Sequence, residues 1–77
     1  MKITIKYFGQ IAEITRQDEE HLEFSGTLVS DLLETLHSKY ELLQNKDFQV
    51  AQNQELVNTN TELIGPEIAL LPPFSGG

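Results

Sequence analysis

The sequence predicts a small α+β domain, a mixed sheet of four to five strands with one main helix packed across it. Three observations carry this expectation. Apolar residues alternate with period two at the start of the chain. They recur with helical spacing over Leu28–Tyr40. They then return as a short apolar run, Ile68–Leu71, just before a proline pair.

Each element has its own signal. Met1–Phe8 alternates Ile3, Ile5 and Tyr7 against Thr4, Lys6 and Phe8, the pattern of a strand with its β-branched and aromatic residues inward. Gly9 ends it, and Gln10–Thr15 suits a short helical turn. The polar run Arg16–Glu20 reads as a loop, and His21–Phe24 as a second strand carrying Leu22 and Phe24. Thr27 is the expected helix N-cap, with Asp31 in the first turn where a carboxylate favours the positive end of the helix dipole. Leu28, Leu32, Leu33, Leu36 and Tyr40 form one apolar face, and Asn45-Lys46-Asp47 interrupts the pattern. Phe48–Gln52 reads as a third strand and Glu55–Val57 as a short fourth. After the Gly65-Pro66 turn, Glu67–Leu71 is the last strand. It is apolar on both parities and so expects cover on both faces, yet no spare helix remains to supply the second.

Two strands, a helix, two strands and a final strand returning to the sheet centre make the arrangement of the ubiquitin-like β-grasp. Residues 1–71 form that domain, and 72–77 a slender C-terminal tail.

Composition narrows the role. The chain has 77 residues, 39% hydrophobic and 22% charged, which fits one globular domain. Five Lys and Arg against twelve Asp and Glu give a net charge of −7, without the basic footprint that nucleic acid or an anionic membrane requires. Cysteine is absent, which removes disulfides, thiolate metal sites and a cysteine nucleophile, and fits the reducing cytoplasm. Lys2 and Lys6 interrupt the only apolar stretch near the start, so no signal peptide is expected. His21 and His37 lie in different elements without ligand spacing, so no metal site is expected. Asp18, Glu19, Glu20 and Glu23 read as a solvated acidic loop. Gly9, Gly26 and Gly65 stand singly, without a phosphate-cradling loop.

The informative segment is LLPPFSGG. Beyond Glu67 no side chain is charged. Pro72-Pro73 removes two backbone donors and holds the exit extended. Ser75-Gly76-Gly77 then places two residues without side chains before a terminal carboxylate, slim enough for a narrow channel. A frayed terminus is the plain alternative. Against it stand the proline pair, the uncharged tail and the position of both glycines at the end.

At this point the chain resembles the MoaD/ThiS family of ubiquitin-like sulfur carriers, and within it the MoaD-type small subunit of molybdopterin synthase. Pro72-Pro73-Phe74-Ser75-Gly76-Gly77 is similar to the family ending PP-x-[ST]-GG. Val50-Ala51-Gln52-Asn53-Gln54 with Leu56-Val57 is similar to its V-N-Q-x-x-V segment, and Tyr7-Phe8-Gly9 with Glu13 to its opening. Ala12 stands where many relatives have Arg, and Gly65-Pro66-Glu67 where Gly-Asp-Glu is common.

The resemblance implies a subunit that is not itself catalytic. An E1-like activating enzyme uses ATP to adenylate Gly77, and a sulfur donor protein converts it to a thiocarboxylate. The tail Pro72–Gly77 then enters the large subunit of the synthase, in a heterotetramer, and sulfur passes to cyclic pyranopterin monophosphate. No cofactor is bound by the chain. Strand parity turns Phe8, Leu71 and Leu56 away from the helix, with Phe74 at their edge, an apolar patch suited to the partner. Three other roles compete: a carrier for thiamine thiazole synthesis, a ubiquitin-like modifier joined to lysines, and a binding module with an idle tail.

Overall fold

Strand β1 (Lys2–Tyr7) buries Ile3, Ile5 and Tyr7 to 2% exposure or less, as the alternation predicts. A computed structural model describes residues 2–64 and 66–73 of the chain. Helix α1 (Gln10–Thr15) follows at the expected residues. Strand β2 spans Glu19–Glu23, helix α2 Val29–Lys39, β3 Gln49–Gln52, β4 Glu55–Val57 and β5 Glu67–Leu71. The sheet order is β2-β1-β5-β3-β4. β5 therefore returns to the centre, parallel to β1 and antiparallel to β3, which completes the β-grasp.

The core lies between α2 and one face of this sheet. Val29, Leu32, Leu33 and Leu36, spaced i, i+3, i+4 and i+7, form the buried stripe of the helix. They meet Ile3, Ile5, Val50, Ile68 and Leu70 from the three central strands. Ile11 of α1 and Leu43 complete the core, their elements packed against each other. Leu43 belongs to a short 3₁₀ helix, Glu41–Asn45, in a stretch where the sequence suggested only the end of the helical pattern.

Three local expectations are corrected. The N-cap of α2 is Leu28, not Thr27. The Val29 and Ser30 amides donate to the carbonyls of Thr61 and Thr59, both at 2.9 Å, so the loop before β5 does what a capping hydroxyl would have done. Asp31 reaches back to accept from the Thr27 and Leu28 amides, and these bonds hold its carboxyl below the usual range. Second, β2 starts two residues earlier than expected and ends before Phe24, because pairing with β1 runs from Lys2↔Glu23 to Lys6↔Glu19.

The third correction concerns Glu20, read from the sequence as part of a solvated loop. It is only 8% exposed and lies opposite Ile5 in the sheet. Its carboxylate accepts from Tyr7 Oη at 2.7 Å, from Tyr40 Oη at 2.8 Å and from Lys39 Nζ. Burial pushes its carboxyl up, but the three donors outweigh that and leave it below the ordinary value. Burial and the same carboxylate raise both tyrosine hydroxyls. The network joins the C-terminal end of α2 to the outer strand β2.

Gln52, 4% exposed, is engaged in the same way. Its carboxamide donates to Glu62 O and accepts from the Ile64 amide, both at 3.0 Å, which ties the loop before β5 beneath β3.

Candidate functional site

Among the described residues no helix covers the other face of the sheet, and its central row explains its shape. The register places Lys6 beside Ala69, Ala69 opposite Ala51, and Ala51 opposite Leu56. Two alanines side by side at the middle of a sheet leave a depression, and larger residues stand around it. Phe8 is 43% and Leu56 54% exposed, while Leu71 is half-buried. These three, predicted by parity to lie outside the core, line one hollow of about 440 Å³ with Ala51 and Ala69 as its floor. The cover that the apolar β5 lacks on this face is not supplied from within the described residues.

Polar groups mark the far end of the hollow. Lys6 Nζ lies 3.3 Å from Glu67 Oε2, a half-exposed pair of the kind that contributes about 0–1 kcal/mol. Next to it comes the two-residue turn between β3 and β4, Asn53-Gln54, with φ of 53° and 67°. Left-handed backbone costs a residue with a Cβ roughly 1–2 kcal/mol, and asparagine tolerates it better than glutamine.

The near end of the hollow is the root of the tail. The Phe8 amide donates to Leu70 O at 3.2 Å, the last tie between β1 and β5 before the chain leaves the sheet. Gly9 follows with φ 59°, and a Cβ there would stand 2.7 Å from Cγ of Pro72. The absent side chain at Gly9 thus provides the seat for Pro72. Pro72 and Pro73 are exposed, and with Gly9, Gln10, Ile11, Lys46 and Asp47 they frame a second, smaller recess. Phe74, Ser75, Gly76 and Gly77, the remaining predicted site residues, lie outside the described residues.

The two histidines stand in different elements, β2 and α2. His21 is exposed, 3.0 Å from Thr4 Oγ1 and 3.2 Å from Glu19 Oε2. His37 packs edge-to-face on Phe48, ring centroids 6.1 Å apart. Among the described residues no group of three or more His, Asp or Glu side chains could hold a metal ion. No helix among them is long and apolar enough to cross a membrane. Sequence reasoning missed Ala51, Ala69 and the Asn53-Gln54 turn as parts of the site. The available signal was parity: alanine is unfavoured in strands, and each of these two stands on the outward side of its strand.

Comparison with known proteins agrees with this geometry. The family model described as the ThiS family matches residues 5–77. The molybdopterin synthase sulfur carrier subunit of Caenorhabditis elegans is 31% identical, with 100% of this chain and 99% of that protein covered. Among solved structures, the putative molybdopterin converting factor subunit 1 of Pyrococcus furiosus superposes with a TM-score of 0.86 at 27% identity, covering 96% of this chain and 99% of the other. The complex of subunits 1 and 2 of the molybdopterin-converting factor of Helicobacter pylori gives 0.69 at 28%, with both chains fully covered at 100%. SAMP1 of Haloferax volcanii gives 0.80 at 25%, also with 100% of each chain covered.

Proposed function

The chain belongs to the ThiS family, and on that footing we propose that it is a sulfur carrier of molybdenum cofactor biosynthesis, the small subunit of a molybdopterin synthase. The observation that carries this reading is the course of β5. This one strand runs through the sheet centre, supplies Ala69 and Leu71 to the open hollow, and continues directly into Pro72-Pro73. A partner seated on the hollow therefore meets the root of the tail.

In this reading the reactive group is the Gly77 carboxylate. A free carboxylate is a poor electrophile. An activating enzyme joins it to AMP from ATP with loss of pyrophosphate, and a sulfur donor then displaces AMP to leave a thiocarboxylate. The tail Pro72–Gly77 enters the large subunit, where the sulfur attacks cyclic pyranopterin monophosphate. This chain contributes docking through Phe8, Leu56, Leu71 and Phe74, and reach through its tail. Catalytic side chains come from the large subunit, and the reducing cytoplasm is the setting that a cysteine-free chain fits.

The names of the Caenorhabditis elegans relative and of the Pyrococcus furiosus structure favour the molybdopterin branch over thiazole synthesis. The Helicobacter pylori complex supports a large-subunit partner. Similarity to SAMP1, a small archaeal modifier protein, gives weaker support to the modifier role.

Deleting Gly76 and Gly77 tests the reading. The truncated chain is expected to lose all sulfur donation to the pyranopterin while still binding the large subunit through the sheet. Sulfur transfer by the truncated chain would contradict it.

A further inference from the structure

Resting on that reading, we propose that Gln54 fixes the orientation in which the large subunit docks on the sheet, its carboxamide bonding a backbone peptide group of that partner. Asn53 and Gln54 are consecutive residues with positive φ, 53° and 67°. A two-residue hairpin turn that follows the strand twist requires this, and glycine is the residue that suits its second position. Asparagine suits the first. Glutamine in the second is not explained by the turn, since it carries a Cβ into left-handed backbone. Intramolecular bonding does not explain it either. The carboxamide of Gln52 both donates and accepts within the fold, whereas those of Asn53 and Gln54 are exposed and make no hydrogen bond among the described residues.

Their position supplies the reason. Both side chains line the hollow that holds Phe8, Leu56 and Leu71. Gln52 pairs with Ile68, so the turn stands beside the Glu67 end of β5, while the tail leaves from the Leu71 end. At about 3.3 Å per residue these ends are roughly 13 Å apart. An apolar floor attracts without direction, so a partner held there alone could pivot about the sheet normal. A polar anchor at the far end removes that freedom and aims the tail. A carboxamide, which both donates and accepts, matches a peptide group of the same chemistry. Strain kept at a surface position beside a docking face fits a retained contact.

The test uses the full chain, wild type, Gln54→Gly and Gln54→Asn, with the large subunit. Melting and binding are measured, together with the sulfur-transfer rate of the thiocarboxylated chain at saturating large subunit. Gln54→Gly is expected to melt at or above wild type, to bind about tenfold more weakly, the loss of roughly one hydrogen bond, and to transfer several-fold more slowly at saturation. Gln54→Asn, which keeps a carboxamide on a turn-tolerant residue, recovers part of both losses. Wild-type affinity and rate in Gln54→Gly would overturn the inference. A wild-type chain with no affinity for the large subunit would overturn the functional reading instead, and this inference with it.

Discussion

Glu20 holds a buried carboxylate with three donors around it, the hydroxyls of Tyr7 and Tyr40 and the Lys39 ammonium. It lies among acidic residues in the sequence, and its neighbours Asp18 and Glu19 are exposed. Only the pairing of β2 with β1 places it opposite Ile5, where Tyr7 and Tyr40 need an acceptor for their hydroxyls. Parity with Leu22 was legible; the register was not. The network has a testable pH signature. The folded carboxyl titrates below its usual value of 4.5, so its stabilising contribution is full above that value and is lost as pH falls through the folded one. Glu20→Gln is expected to lower stability at pH 7 by about 1–2 kcal/mol, because Gln keeps the tyrosine bonds and loses the charge-assisted part. In urea titrations the gap to wild type should narrow progressively as pH is lowered from neutral to below 4.5. A gap independent of pH would mean that the charge of Glu20 contributes nothing.

At the scale of elements, strong punctuation made α1, β4 and β5 readable to the residue, and their observed bounds are those expected. Gly9 closes β1, and Pro72-Pro73 stops β5. The start of α2 was misplaced by one residue because its cap comes from backbone carbonyls of Thr59 and Thr61, about thirty positions away, which no local motif records. The 3₁₀ helix was too short for periodicity, since only Leu43 of its residues is buried. The hollow belongs to this scale too, since it arises where Ala51 and Ala69 face each other across β3 and β5. Ala69→Leu fills it from the outward side without entering the core. Its stability is expected to stay within about 0.5 kcal/mol of wild type, as for surface substitutions generally, while affinity for the large subunit falls by about tenfold or more. Unchanged affinity would remove the hollow from the docking surface.

For the molecule as a whole, the fold and the family follow from the same features that drew attention in the sequence: a β-grasp order of elements, an apolar outward face and a GG ending. The site was legible in part. Parity placed Phe8, Leu56 and Leu71 on the outward face and they line one hollow in the structure, whereas Asn53-Gln54, noted in the sequence only as part of a family-like segment, was tied to that hollow by its place in the turn. The proposed role assigns the chemistry to one atom group, the carboxylate of Gly77. Intact mass of the chain, measured after incubation with an activating enzyme, ATP and a sulfur donor and again after adding the large subunit with the pyranopterin, tests that assignment most directly. The account predicts a gain equal to one oxygen replaced by sulfur, mapped to Gly77, and its loss on transfer to the pyranopterin. A thiocarboxylate that forms but is never passed to that substrate, or an unmodified Gly77 under conditions where a related carrier is modified, would contradict it.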